Sequence, residues 1–176
     1  PLPERPRGDP TVVHFHGGFI PLQGVAVILA AAHLLQDTPI VFNIIGRGQQ
    51  YAEMRRHAAE WQLTNVRFID PVPYEELAAW MAQADICLGI FGATPKSARV
   101  IPNKAFEAIA CRRPLITQDS PASRELLTGG VHALLVPADD PEALSRAIKR
   151  LAADPALRER IAAAGHELFQ RELTTV

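Results

Sequence analysis

The alternation of short apolar runs with amphipathic stretches constrains the fold of this chain more than any other feature of its 176 residues. Most of these runs are continuously apolar, which is typical of strands covered on both faces. The predicted strands are Thr11–His16, Ile40–Ile45, Val66–Ile69, Ile86–Ile90, Leu115–Thr117 and Ala133–Val136. Strands that alternate with helices predict an α/β fold, here a doubly wound, Rossmann-like sheet of six parallel strands.

Between the strands, apolar residues recur at helical spacing, which predicts helices packed on the sheet. The stripes are Val25, Ile28, Leu29, Ala32, Leu35; Tyr51, Met54, Ala58, Trp61; Leu77, Trp80, Met81, Ala84; Leu144, Ala147, Ile148, Leu151; and Leu157, Ile161, Ala164, Leu168. The last two helices are expected to begin at Asp140-Pro141 and Asp154-Pro155, because Asp is a favoured N-cap and Pro suits the first helical position.

Composition excludes several classes of protein. Lys and Arg number 18 against 19 Asp and Glu, so the net charge of −1 argues against a nucleic-acid binder. Cys87 and Cys111 lie in apolar segments and are predicted to be free thiols, which favours a reducing, cytoplasmic compartment. No run is long enough to span a bilayer. Residues 1–10 have neither an initiator Met nor a signal-peptide core, and we interpret them as a linker before a domain at 11–176.

In sheets of this class, ligands bind beyond the carboxyl ends of the strands, where the strand order switches. The commonest order of six strands places that switch between the first and the fourth, so the loops after His16 and after Ile90 should lie side by side. The first loop contains Gly17 and Gly18 and leads to a helix near Gly24, which would let a ligand approach the backbone and the free N–H groups of the helix closely. A plain strand-to-helix turn accounts for two glycines equally well.

The second loop, residues 91–101, is long enough to suggest a function and leads into a helix at Pro102. Pro102 is expected in the first turn, with the N–H groups of Asn103 and Lys104 facing an anion and the Lys104 ammonium adding charge. Glu107 follows on the same helix face, and its carboxylate could accept two hydrogen bonds from a ribose diol. An ordinary surface ion pair between Lys104 and Glu107 is the alternative. The apolar setting of Glu107 argues against that alternative.

Other polar residues carry weaker signals. Gly46-Arg47-Gly48 lacks the third glycine of a dinucleotide fingerprint and follows the wrong strand. His14, His33 and His57 are assigned no role, and no His or Cys pair has metal-ligand spacing, so no metal site is predicted. Met54, Trp80 and Met81 are expected in the core.

The run from Pro102 to Thr117, PNKAFEAIACRRPLIT, resembles the signature of the retaining, GT-B-fold glycosyltransferases called group 1 or family 4. The loop at 17–24 is similar to their Gly-x-x-x-Pro-x-Lys-Gly, Gly46-Arg47-Gly48 to their Gly-x-Gly, and residues 66–77 to their Val-x-Phe-x-Gly-x-Val stretch. Residues 123–127 and the closing helices also fit, so the resemblance covers essentially the whole chain.

The resemblance implies the C-terminal, donor-binding domain of such an enzyme. Glu107 matches the glutamate that holds the ribose of a nucleotide sugar. The backbone near Asn103 and Lys104, with Gly17 and Gly18, would meet the pyrophosphate. The backbone of Val72 would meet the base, and Gly46 belongs to the family's Gly-x-Gly.

The same resemblance implies transfer of the sugar to an acceptor hydroxyl with retention of configuration and without a metal or other cofactor. A separate N-terminal domain would bind the acceptor, a glycan, lipid or small molecule, and could associate peripherally with a membrane. The present domain alone is therefore expected to bind a donor but not to turn it over.

Three residues depart from the family pattern. Gln23 replaces the usual loop lysine, Arg99 the earlier of two paired glutamates, and Asp70 a glycine near the base. Lys104 or Lys96 could supply the charge that Gln23 lacks, and no catalytic residue is assigned, although Arg99 is expected near the donor sugar. A non-catalytic nucleotide-sugar-binding module, with Arg99 clamping a phosphate, is the first alternative. A sugar-nucleotide epimerase and, last, a nicotinamide-dependent oxidoreductase are the others.

Overall fold

The computed structural model of the protein describes residues 9–174. The strands are β1 (Thr11–His16), β2 (Ile40–Ile45), β3 (Val66–Ile69), β4 (Ile86–Leu88), β5 (Leu115–Gln118) and β6 (Leu134–Val136). The helices are α1 (Val25–Leu34), α2 (Tyr51–Glu60), α3 (Tyr74–Ala82), α4 (Asn103–Ala110), α5 (Pro121–Leu126), α6 (Pro141–Ala153) and α7 (Pro155–Glu172), with 3-10 helices at Pro21–Gln23 and Ser97–Arg99. All strand pairs are parallel, in the order β3-β2-β1-β4-β5-β6. The switch therefore falls between β1 and β4, as predicted.

Strand β1 shows why the central strands are apolar on both faces. Val13 and Phe15 are fully buried in a cluster with residues of α1 and α6. Val12, which points the other way, is buried in a second cluster with residues of α4 and α7. The sheet is thus covered by helices on both sides, and the predicted α/β fold is confirmed.

The two late helices begin where their capping residues were predicted. Asp140 accepts a hydrogen bond from the Ala143 amide at 2.8 Å, and Asp154 accepts one from the Leu157 amide at 2.9 Å. Each cap satisfies a backbone donor that the first helical turn leaves unpaired.

Several predicted boundaries differ from the structure. Strand β4 ends at Leu88 rather than at Ile90, because the Ile90 amide donates to the Thr117 hydroxyl, 3.3 Å away, instead of to a backbone carbonyl. Strand β5 extends one residue further, to Gln118. Strand β6 begins at Leu134, since Ala133 makes only an isolated bridge to Gly129.

The prediction for Trp61 was wrong. Helix α2 ends at Glu60, and Gln62 turns the chain with a φ of 53°. Trp61 therefore leaves the buried stripe, remains 36% exposed, and lies between the rings of His33 and His57.

The cysteines are free thiols, with Cys87 buried and Cys111 half-buried. Within residues 9–174, no helix combines the length and the apolar character needed to cross a membrane. Of the predicted linker at 1–10, residues 1–8 lie outside the described part of the chain.

Candidate functional site

The loops after β1 and β4 lie side by side, as the strand order requires. The Phe91 amide donates to the Gln23 carbonyl at 3.2 Å, and the Gly92 amide donates to the Leu22 carbonyl at 3.3 Å. These bonds join the two loops directly at the carboxyl edge of the sheet.

Two adjoining clefts open at this edge. The larger, of about 480 Å³, lies between the joined loops and the start of α4, and Gln23, Asn103 and Glu107 are among its lining residues. The smaller, of about 300 Å³, is lined by Gly18, Gly46 and Val72 among others. His16, Gly17 and Leu77 line both clefts, so the candidate residues named from the sequence surround one continuous depression.

The glycines at the ends of β1 and β2 permit a close approach that other residues would prevent. Gly17 has a φ of 151°, and a Cβ built there would lie 2.5 Å from Lys104 Nζ. Gly46 has a φ of 143°, and its Cβ would collide with the Gly17 carbonyl oxygen. The local geometry thus requires glycine at both positions. Because glycine has no side chain, the backbone beside Lys104 stays accessible to a ligand.

Lys104 is 6% exposed, and its ammonium is the buried cation of the larger cleft. It donates a hydrogen bond to the Gln23 side-chain oxygen and lies 4.0 Å from the centre of the Phe15 ring. Burial lowers the pKa of Lys104 to about 7, against which the neighbouring Glu107 carboxylate acts. The Lys104 amine can therefore gain or lose its proton near neutral pH, depending on what binds beside it.

The start of α4 faces the same cleft. Pro102 is the N-cap, in extended conformation, and not a residue of the first turn as expected, because α4 begins at Asn103. The first turn contains no acidic residue, and the amides of Asn103 and Lys104 have no acceptor within the part of the chain that the structure describes. This end of the helix therefore presents free donors and a positive dipole.

Glu107 is held by side chains from two other elements. His16 Nε2 lies 2.8 Å from Glu107 Oε2, and the Tyr74 hydroxyl donates to Oε1 at 3.2 Å. Among the interactions of residues 9–174, Lys104 and Glu107 form no ion pair with each other, because each has a different partner. The carboxylate is thus fixed at the cleft by its own set of donors.

His14 extends this arrangement into the interior. His14 Nε2 and His16 Nδ1 are 2.9 Å apart, and His14 is 1% exposed. Burial lowers the pKa of His14 to about 3, with smaller contributions from His16 and Lys104. No role for His14, His16 or Tyr74 was predicted from the sequence. The signal that could have revealed the histidines is their i, i+2 spacing at the carboxyl end of one strand.

Arg99 lies apart from these groups. It is exposed at the end of the 3-10 helix Ser97–Arg99 and does not line either cleft, whereas Lys96 lines the larger one. Ser97 anchors the loop by donating to the Gly92 carbonyl, and its own carbonyl accepts from Gln118 Nε2 at 2.6 Å. The structure gives no support to a phosphate clamp at Arg99.

The rim of the smaller cleft carries an exposed ion pair. Arg47 donates to Asp70 at 2.5 Å, and the Arg47 guanidinium lies 3.9 Å from the centre of the Tyr51 ring. Asp70 thus has a partner at the position where the resembled family has glycine. No group of three or more His, Cys, Asp or Glu side chains is arranged for a metal ion anywhere in the described range 9–174.

A doubly wound parallel sheet with a cleft at its switch point defines a Rossmann-like α/β domain of the kind that binds ligands at that edge. The chain belongs to the family of group 1 glycosyl transferases, because the family model matches residues 10–154. The family predicted from the sequence motifs is thereby confirmed.

Individual relatives agree with this assignment. The chain is 32% identical over 194 aligned residues to a D-inositol 3-phosphate glycosyltransferase of Nocardioides sp., a match that covers 98% of the chain and 40% of the relative. The C-terminal domain of the Francisella tularensis group 1 family protein LpcC has the same fold, with a TM-score of 0.82, 19% identity, and 96% of this chain and 88% of that one covered. Anabaena HepE in complex with UDP-glucose has a TM-score of 0.82 and 19% identity, with 93% and 45% covered.

These comparisons confirm the fold predicted from the sequence, that of the C-terminal domain of a group 1 glycosyl transferase. The chain spans less than half the length of curated relatives such as the Nocardioides protein.

Proposed function

We propose that this domain binds the nucleoside diphosphate of a nucleotide-sugar donor and, within a longer glycosyltransferase, presents the sugar for transfer to an acceptor hydroxyl with retention of configuration. One observation carries the proposal. A buried ammonium and a free helix N-terminus lie in the same cleft as a fixed carboxylate, at Lys104, Asn103 and Glu107. The ammonium and the helix N-terminus suit an anionic group of a ligand, and the carboxylate suits a diol of the same ligand.

The pyrophosphate would bind at the start of α4. The free amides of Asn103 and Lys104, the helix dipole and the Lys104 ammonium all place positive potential there. Gly17 and Gly18 leave space for phosphate oxygens beside that ammonium. Lys104, which is oriented by Gln23, would take the part that the resemblance gives to a loop lysine, so no metal is needed to balance the diphosphate charge.

The ribose and base would extend from this point toward the smaller cleft. Glu107 would accept hydrogen bonds from the ribose hydroxyls, because each carboxylate oxygen has lone pairs beyond those used by His16 and Tyr74. The base would lie against the loop at Val72, above Gly46. The complex of the fold neighbour HepE with UDP-glucose supports a ligand of this class.

The donor sugar would then project from the α4 end of the larger cleft toward an acceptor-binding domain. Lys96 lines this end of the cleft and is the exposed cation best placed to meet the sugar or its phosphate. The acceptor and much of the catalytic apparatus would belong to the remaining part of the enzyme.

Calorimetric titration with UDP, GDP, ADP and dTDP, without added metal, tests the proposal. We expect one of them to bind saturably, and Glu107→Ala to weaken that binding by about 1.5–3 kcal/mol, the usual contribution of a hydrogen bond to a charged group. Glu125→Ala, at an exposed position of α5, is the matched control. Unchanged affinity in Glu107→Ala would exclude the ribose role.

A further inference from the structure

We infer that His16 is a positioning residue for Glu107, and that His14 in turn fixes the imidazole of His16. This inference rests on the proposed function, since it assumes that Glu107 binds the ribose. It adds two residues, His14 in the sheet interior and His16 in the cleft wall, that set the orientation of the carboxylate before a ligand arrives.

The contacts form one continuous chain from the sheet interior to the cleft. His14 Nε2 lies 2.9 Å from His16 Nδ1, and His16 Nε2 lies 2.8 Å from Glu107 Oε2. The side chains of His16 and Glu107 are only 12% and 19% exposed. Water therefore has limited access to either partner, and both side chains depend on groups of the protein for their hydrogen bonds.

The hydrogen positions in this chain can be deduced. If His14 carries its hydrogen on Nε2, it donates to His16 Nδ1, and His16 then carries its own hydrogen on Nε2 and donates to Glu107. Each contact then contains one hydrogen. The reverse tautomers would set a bare His16 nitrogen against the carboxylate and leave a buried His14 Nδ1–H without an acceptor, since no partner is available to that atom in the described chain.

A doubly protonated His16 is disfavoured by its surroundings. Burial lowers the pKa of His16, and the ammonium of Lys104 lowers it further, while the hydrogen bond to Glu107 acts in the opposite direction. The titratable groups around His16 are His14 on β1 and Lys104 and Glu107 on α4. Tyr74 on α3 contacts the Glu107 carboxylate. The neutral imidazole is the form that completes the chain.

Positioning matters because Glu107 has a competing partner. Lys104 lies three residues earlier on α4, a spacing at which helix side chains can pair. An ion pair between them would remove both the carboxylate and the ammonium from the ligand. His16 keeps Oε2 turned to the strand. Among the described residues, Oε1 accepts a hydrogen bond only from the hydroxyl of Tyr74, which is 71% exposed and which a ribose hydroxyl can replace.

The experiment compares two ligands on the 176-residue chain: whichever of UDP, GDP and ADP binds best in titration, and its 2′,3′-dideoxy analogue. His16→Phe removes the donor, and His16→Gln returns an amide N–H near the same place. We expect His16→Phe to weaken binding of the ribonucleotide about 10-fold and to weaken binding of the dideoxy analogue much less, because only the ribonucleotide has hydroxyls for Glu107 to hold. His16→Gln should recover most of the loss, and His33→Phe, at an exposed histidine, should change neither affinity.

The outcomes separate the two proposals. If Glu107→Gln weakens the ribonucleotide but His16→Phe does not, the positioning role is wrong and the proposed function stands. If Glu107→Gln has no effect, the ribose role of Glu107 and the positioning role of His16 both fail, whereas nucleotide binding by the domain is decided by the titration itself. Nitrogen-15 spectroscopy of the unsubstituted chain provides a second test that does not depend on how a variant folds. Both His14 and His16 should show the Nε2–H tautomer at neutral pH, and an Nδ1–H tautomer at His16 would overturn the inference.

Discussion

The ammonium nitrogen of Lys104 lies 4.0 Å from the centre of the Phe15 ring and donates a hydrogen bond to the side-chain oxygen of Gln23. The ring face and the amide oxygen both favour the cation, and they offset part of the cost of burying it. Burial still dominates, because it lowers the pKa of Lys104 from 10.5 to about 7. The stability of the protein should therefore depend on the state of this one side chain.

Replacing Lys104 by Met should flatten the pH dependence of stability. Between about pH 7 and 10.5 the unfolded chain holds a proton on Lys104 that the folded chain lacks, so the free energy of unfolding of the wild type rises with pH across this window. Each unit of pKa difference corresponds to about 1.4 kcal/mol. Urea unfolding from pH 7 to 10 measures the slope. Lys149→Met, at an exposed position, should retain it, and a Lys104→Met slope equal to that of the wild type would contradict the assignment.

His14 should make the free energy of unfolding depend on pH in the acid range as well. Burial lowers the pKa of His14 from 6.5 to about 3, so between these values the unfolded chain binds a proton that the folded chain does not. Stability should consequently fall as the pH drops through this window. His14→Phe should fall less steeply than the wild type between pH 6.5 and 5, as measured by urea unfolding at constant ionic strength. Parallel curves for the two proteins would show that His14 is not the titrating group.

Gly17→Ala should damage both folding and binding. The new methyl group would approach Lys104 Nζ at 2.5 Å in a backbone conformation with a φ of 151°. Strain of this kind costs about 1–3 kcal/mol, and displacement of the ammonium should weaken nucleotide binding as well. Gly130→Ala is the matched control, because Gly130 also has a positive φ, 78°, but nothing lies within 4 Å of the added atom. Equal effects of the two substitutions on binding would exclude a specific role for the space at Gly17.

The N-cap of α6 offers a prediction independent of any ligand. Asp140→Ala removes the acceptor of the Ala143 amide and should destabilise the fold by about 0.5–2 kcal/mol. Chemical denaturation measures the loss, and Asp37→Ala, at an exposed position outside the helices, is the control. Nucleotide affinity should not change, because the residues that line the two clefts include none from α6.

The strand order and the meeting of the two loops could be predicted from sequence, because alternating elements and right-handed crossovers leave few topologies. Positions that depend on the backbone alone, such as Gly17 and Asn103, followed from that topology. The partners of the long side chains did not. Glu107 meets His16 from 91 positions away, and this pairing, in place of one with Lys104, depends on where the fold places α4 relative to the end of β1.

The error at Trp61 also arises from a feature that sequence spacing does not show. The helical spacing of apolar residues in α2 continues to Trp61 in the sequence. In the structure the chain turns at Gln62, and the helix ends at Glu60, one residue before the last residue of that apolar stripe. Arg99 aligns with an acidic position of the resembled family, and Ser97 ties its loop into a 3-10 turn whose last residue lines neither cleft, so a role for Arg99 near the donor sugar stays a prediction. At Trp61 a local backbone turn thus ends a helix that the spacing of apolar residues predicts to continue.

Binding of a nucleoside diphosphate should draw a proton onto Lys104. A diphosphate close to the ammonium stabilises its charged form and raises the pKa from about 7, so at about pH 8 a fraction of the domains must take up a proton on binding. Calorimetric titrations in two buffers with different ionisation enthalpies measure this uptake directly. The apparent binding enthalpy should differ between the buffers for the wild type and converge for Lys104→Met. At this pH the nucleotide phosphates are largely deprotonated and add little of their own. Identical enthalpies for the wild type in both buffers would mean that Lys104 is already fully charged in the free domain or does not meet the phosphates.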